Sequence, residues 1–357
     1  MESNIVSFPW LEFINHPAFC VKDGYVLAAN SAAQSCMIIS GMKIDEIIGQ
    51  NRDAYDSFQG GNLFLTITAG ELSYNACVTR TDDCDIFTIT QTREDSQLQT
   101  LALAAQQLRI PLSNMITVTD RLLTELNSED STAKQQISQI NRNIFRLLRI
   151  IGNMSDANNY ENCTVPNNNT INFTALFDEI MEKIQTTSNA LHKKLSYTGL
   201  NSPVFGLGDE EKLTRAIYNL LSNALKFSPD DSTIDVRLTQ NRNILSFTVS
   251  NQNSEAVEDY MFHNRYTRKP SIEDDRFGLG LGMTLISSIA CAHGGTVLVD
   301  HPLPNTTRVT MTIAIINDNS GIIRSPILRI GDYAGGRDKG LLELSEILPA
   351  DIYNEIN

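Results

Sequence analysis

"NLLSNALKFSP", residues 219–229, carries two kinds of side chain at helical spacing. Leu220, Leu221 and Leu225 cover one face and suit packing against a sheet. Asn219, Asn223 and Lys226 fall at i, i+4 and i+7 on another face. An amide oxygen and an ammonium presented together suit a magnesium–triphosphate: the oxygen ligates the metal and the cation meets phosphate. The same spacing also describes a polar helix face with no ligand, so the neighbouring segments decide between the two.

Upstream, "FTALFDEIMEKIQTTSNALHKK" reads as an amphipathic helix, preceded by the Asn-rich linker "NNYENCTVPNNNT". Downstream, "TIDVRLT" and "ILSFTVSN" alternate apolar and polar residues as strands do. "GLGLG" then places Gly278, Gly280 and Gly282 just before the helix "GMTLISSIACAHGG", which Gly294-Gly295 closes. Glycines there let backbone N–H groups approach phosphates, and the helix N-terminus favours negative charge. "TVLVD" and "TRVTMTIAI" finish the unit as strands. Helices segregated from a mixed sheet predict an α/β sandwich over 168–316. The tail 317–357, with "AGGRDKGLLELSEILPADIYNEIN", has room for one more helix and no assigned role.

Between 95 and 160 the apolar period changes. Leu98, Leu101, Ala105, Leu108, Leu112, Met115, Thr119, Leu122 and Leu126 recur in steps of three and four, a heptad seam. "NSEDST" breaks it, and Ile137, Ile140, Ile144, Leu147, Ile151 and Met154 resume it. Two seamed helices joined by a polar turn make a hairpin that exposes too much apolar surface to stand alone. Pairing two copies into a four-helix bundle, hence a homodimer, buries the seam; packing against the same chain is the alternative. Pro111 removes a backbone donor and bends the first helix.

Residues 1–94 read as a small mixed unit. "FCVKDGYVLAAN" sets two apolar runs around the turn Asp23-Gly24, a helix follows near 31–37, and three β-rich runs close the unit. Two strands, short helices and three antiparallel strands resemble a PAS sensor domain. His16 reads as structural, with no haem or flavin ligand marked. At 357 residues with a formal charge of −14, the chain has room for several cores and an acidic field that disfavours nucleic acid and anionic membranes. The six cysteines are scattered without a CxxC pair, which argues against zinc and a disulfide framework and for a reducing compartment. No apolar run has the length of a membrane span, and a cytoplasmic location is expected.

Three segments in fixed order resemble the sensor histidine kinase family, over about residues 95–316. "AAQQLRIPLSNM" (104–115) resembles the phosphoacceptor box, "NLLSNALKFSP" the Asn box, and "RFGLGLGMTLISSIACAHGG" (276–295) the second glycine box with its helix. The resemblance implies an α+β multidomain protein: a PAS-like sensor domain at 1–94, a dimerising helical hairpin at 95–160 and a GHKL-type ATPase sandwich at 168–316. It implies ATP and Mg²⁺ as cofactors, with Asn223 as metal ligand, Lys226 on phosphate and Asn219 beside them. Gly278, Gly280 and Gly282 would cradle phosphates. "DYMFHNRYTRKPS" resembles the lid segment, bringing Phe262, Tyr266 and Arg268 near them, and Arg265 and Lys269 add positive charge.

Departures from the family pattern are concentrated in the chemistry. The acceptor position holds Gln106, whose carboxamide has no nucleophilic ring nitrogen, and none of the five histidines lies in the hairpin. Gln107 replaces the neighbouring acid, and Ile110 replaces the polar residue that positions water for dephosphorylation in related kinases. Asn251 stands where the family has an adenine-binding Asp, with Asn253 and Glu255 in place of glycines. A neutral acceptor there is weaker by about 1 kcal/mol, about five-fold in affinity. The expectation is a pseudokinase that dimerises, binds ATP–Mg²⁺ weakly and regulates a response regulator or partner kinase. The alternatives are an active kinase working in trans on a partner and a nucleotide-free interaction scaffold.

Overall fold

The computed structural model describes residues 8–14, 16–70, 72–89, several helical positions between 108 and 122, and 131–157, 169–253, 281–303, 305–316 and 338–354. In the N-terminal unit, β1 (Ala18–Lys22) and β2 (Tyr25–Ala29) pair around Asp23 and Gly24, both at positive φ (52° and 79°), as a two-residue hairpin turn requires. Short helices α1 (Ser31–Ser35), α2 (Ile44–Ile48) and α3 (Arg52–Ser57) lead to β3 (Asn62–Ala69), β4 (Leu72–Arg80) and β5 (Asp85–Ile89). Asn30 caps α1 by accepting from Ala33 N–H, while its amide nitrogen donates to the Leu11, Ile14 and His16 carbonyls. Phe19, Val26, Ile44, Ile47, Leu65, Ile67 and Phe87 form the core of this half, with Phe19 stacked on Phe87.

Long helix α4 (Ser131–Ala157) is the second helix of the expected hairpin. Leu108, Leu112, Met115, Val118, Thr119, Arg121 and Leu122 are helical, and Leu112 packs with Ile144, Leu148 and Ile151 of α4. One row of the seam, Ile137, Ile144 and Ile151, is buried within the chain, whereas Ile140 and Leu147 remain 47% and 46% exposed, and Leu108, Met115 and Leu122 of the first helix are exposed as well.

In the C-terminal half, β6 (Asn169–Asn172), α5 (Phe173–Ala190), β7 (Lys194–Thr198), β8 (Phe205–Gly208), α6 (Glu210–Phe227), β9 (Thr233–Asn241) and β10 (Ile244–Gln252) follow in order. Helix α7 (Leu281–Ala292), β11 (Val297–Leu303), β12 (Thr306–Ala314) and α8 (Lys339–Glu343) complete it. Strands β9 and β10 bury alternate residues, and Val236, Leu238, Phe247, Val249 and Met311 meet Phe177, Ile217, Leu221 and Ile286 from the helices in one core. Helices over a mixed sheet are the arrangement expected. The helix expected to run to Lys194 instead stops at Ala190: Leu191 and Lys193 N–H both bond the Ser188 carbonyl across His192 at φ 53°, and β7 begins. Strands β6, β7 and β8 were not anticipated, and β6 starts inside the stretch read as linker.

The two halves share one ten-stranded sheet in the order β2-β1-β5-β4-β3-β11-β12-β10-β9-β7, while β6 and β8 form a separate pair. With the hairpin at 95–160 between them, the sequence predicts two further domains, at 1–94 and 168–316. They meet where Leu63 and Phe64 of β3 pair antiparallel with Leu298 and Val297 of β11. At this seam Gly61 (φ +88°) lies against the β11 backbone, and a Cβ there would sit 2.2 Å from the Val299 oxygen. Only glycine fits. Among the described residues no helix is long and apolar enough to cross a membrane.

Candidate functional site

Helix α6 is placed from both ends. Asp209 caps its N-terminus, accepting from Lys212 N–H at 3.1 Å. The Asp209 N–H in turn donates to His293 Nε2 (3.0 Å), and His293 Nδ1 lies 2.8 Å from the Ile289 carbonyl. His293 is therefore a neutral imidazole donating through Nδ1 and accepting through Nε2. Burial pushes its pKa below the usual value, more than the Ile289 bond and Asp209 raise it. At the other end, Lys193 Nζ donates to the last-turn carbonyls of Leu225 (2.6 Å) and Ser228 (2.8 Å), a cation at the negative end of the helix dipole.

This placement brings four of the sequence-derived site residues together, Asn219, Asn223, Lys226 and Gly282. Gly282, in the first turn of α7, lies beside the polar face of α6: a Cβ on it would stand 3.5 Å from Asn219 Oδ1 and 3.9 Å from Asn223 Nδ2. Asn223 and Lys226 are half-buried on that face. Asn251 lies near the end of β10, buried, its amide nitrogen donating to the Gln252 carbonyl (3.0 Å) and Asn253 Oδ1 (3.2 Å). Gln106, Gln107, Ile110, Pro111, Phe262, Arg265, Tyr266, Arg268, Lys269, Gly278 and Gly280 lie outside the described residues.

Two of the gathered residues are already engaged, by a segment that the sequence left without a role. Asn219 is 1% exposed; its Oδ1 accepts from Arg149 Nη2 (3.2 Å) and its amide nitrogen donates to the Arg215 carbonyl (2.9 Å) and Glu343 Oε2 (3.3 Å). Glu343 of α8 is fully buried and pairs with Arg149 of α4 (3.2 Å) and Arg215 of α6 (3.3 Å). Lys226 Nζ meets Glu346 at 2.8 Å, and the other Glu346 oxygen lies 3.2 Å from Arg149 Nη1 without an aligned hydrogen bond. Burial raises the Glu346 pKa, but Arg149, Lys226 and Arg146 outweigh it and hold the carboxyl below its usual range. Each buried charge here is paired, and removing one partner of such a pair costs about 3–5 kcal/mol.

The sequence signal for this cluster was present but unlinked. Arg142, Arg146 and Arg149 recur at i, i+4 and i+7 along α4, and Glu343 and Glu346 at i and i+3 in the tail. Among the described residues no group of three or more His, Cys, Asp or Glu side chains is arranged to hold a metal. An amide oxygen such as that of Asn223 can contribute one ligand to Mg²⁺, which keeps waters and takes further oxygens from phosphates.

A helix with an Asn-Asn-Lys face, a second helix beginning beside it and a mixed sheet behind both define an ATPase-type sandwich. Residues 208–316 match the family described as histidine kinase-, DNA gyrase B-, and HSP90-like ATPase. The chain is 27% identical over 241 residues to the sensor histidine kinase CusS of Escherichia coli O6:H1, a match covering 66% of this chain and 47% of CusS. It is 26% identical over 215 residues to the probable sensor kinase SilS of Salmonella typhimurium, covering 57% of this chain and 42% of SilS. The chain thus spans less than half the length of these relatives. Full-length ShkA, solved in complex with AMPPNP, shares the fold with a TM-score of 0.50 at 16% identity, over 62% of this chain and 46% of ShkA. Over these stretches the chain is similar to sensor histidine kinases.

Proposed function

We propose that the chain is a pseudokinase of two-component signalling, which dimerises through its hairpin, binds ATP–Mg²⁺ weakly and regulates a response regulator or a partner kinase. The observation that carries the nucleotide reading is the polar face of α6 set against the first turn of α7, inside the ATPase-family region. The donor set suits the cofactor. Lys226 already holds a carboxylate, so it can hold a phosphate oxygen, and Asn223 offers an amide oxygen to Mg²⁺. The N-terminal turn of α7 adds the positive end of a helix dipole. Asn251 has its amide nitrogen committed internally, and its carbonyl oxygen is the atom an adenine amino group would meet.

Loss of phosphotransfer in cis rests on Gln106, Gln107 and Ile110, which supply neither a nucleophile nor a base. The half-exposed seam of Leu108, Met115, Leu122, Ile140 and Leu147 supports a four-helix bundle made with a second copy. The strand order β2-β1-β5-β4-β3 of the N-terminal half supports the PAS-like sensor reading. Retention of Asn223, Lys226 and Gly282 favours, as a second reading, a kinase acting in trans on a partner histidine.

Titration of the purified chain with ATP and Mg²⁺ tests the proposal, alongside Asn223→Ala and a label-transfer assay with and without Gln106→His. Wild-type protein is expected to bind ATP and stay unlabelled, and Asn223→Ala to weaken binding about ten-fold or more. Acid-labile label on the wild-type chain would remove the pseudokinase reading. Absence of ATP binding would remove the nucleotide reading.

A further inference from the structure

The tail 338–354 is folded and docked. Asp338 caps α8 by accepting from Leu341 N–H, and Tyr353 Oη donates to the Leu341 carbonyl at 2.8 Å, closing the segment on itself. Leu342, Leu344, Leu348 and Tyr353 are buried in the same core as α6, and Tyr353 packs on Phe145 of α4 with ring centroids 5.1 Å apart. Arginines from α4 clamp its backbone: Arg142 and Arg146 each donate to the Ser345 carbonyl (3.4 and 3.2 Å) and the Glu346 carbonyl (3.3 and 3.1 Å). Its two carboxylates then reach the polar face of α6, Glu343 to Asn219 and Arg215, Glu346 to Lys226.

We infer that this tail is an intramolecular latch: its glutamates occupy Asn219 and Lys226 in place of nucleotide phosphates, so that ATP–Mg²⁺ and the docked tail exclude each other. The inference rests on the nucleotide reading of α6 given above. Its chemistry is direct competition of anions for the same cation and amide. A triphosphate carries more charge than one carboxylate, so it can displace Glu346 from Lys226 at a cost in apparent affinity. The same two carboxylates also hold Arg149. Displacing them therefore loosens α4 from the ATPase sandwich, and nucleotide occupancy becomes readable at the hairpin.

Calorimetric titration of the full chain with ATP and Mg²⁺ tests this in wild type, Glu346→Gln and the double variant Arg142→Ala/Arg146→Ala. The double variant leaves every α6 residue intact and covers the case in which Glu346→Gln fails to fold. Both variants are expected to bind ATP about ten-fold more tightly than wild type, by removing a charge-assisted competitor. Saturating ATP is expected to raise amide exchange across 341–348 in wild type. Equal affinity in all three proteins, with binding still weakened in Asn223→Ala, overturns the latch and leaves the nucleotide reading standing. Absence of ATP binding in every protein overturns both.

Discussion

At the scale of single residues, His293 shows how much of the site depends on a side chain that touches no proposed ligand. It ties the end of α7 to the cap of α6 through one N–H donated and one accepted. Protonating Nε2 removes the acceptor, and burial already disfavours the charged ring. A histidine held below its unfolded pKa of 6.5 binds fewer protons folded than unfolded, so its stabilisation is complete above pH 6.5 and is lost as pH falls toward the folded value. Replacing it by Leu leaves the buried Asp209 N–H without its partner, a loss of about 1–3 kcal/mol. Urea denaturation should give that difference at pH 8, and the gap between wild type and His293→Leu should shrink as pH drops through 6.5.

At the scale of elements, the junction of β3 and β11 depends on a short pairing and one glycine. In Gly61→Ala the added methyl meets the Val299 carbonyl and the residue is strained at positive φ. The expected result is early amide exchange at Leu63 and Val297–Val299, with the helical region unchanged. Periodicity made most elements legible: the Asp23-Gly24 hairpin, the heptad rows and the α6 face all follow from local spacing. It could not show this junction, because edge pairing of two sheets leaves no local pattern. Nor could it connect Arg149 to Glu343, since a contact between residues 194 apart has no register in either segment. Short strands such as β6 and β8 were lost for another reason: at four residues each, they carry too little alternation to stand out from turn-rich sequence.

At the scale of the whole molecule, the seam on the hairpin remains half-covered. Ile140 and Leu147 expose nearly half their surface on the row that the same chain does not bury. A second copy covering it would make Leu147→Glu place a charge in an apolar interface, and sedimentation should show the dimer of the wild type shifting to monomer by at least ten-fold in dissociation constant. An unchanged association state in that variant would assign the seam to another partner.

The continuous sheet also changes what separation of the two halves would cost the cell. While β3 and β11 are joined, each shields the other's row of backbone donors and acceptors, and the sheet ends only at β2 and β7. Parting them uncovers two further strand edges at once, one bearing Asn62-Leu63-Phe64 and the other Val297-Leu298-Val299. Such edges are templates for pairing with other chains. Any rearrangement that pulls the N-terminal half away therefore also creates an aggregation hazard, and a stable rearranged state must keep that seam zipped or hand both edges to a new neighbour.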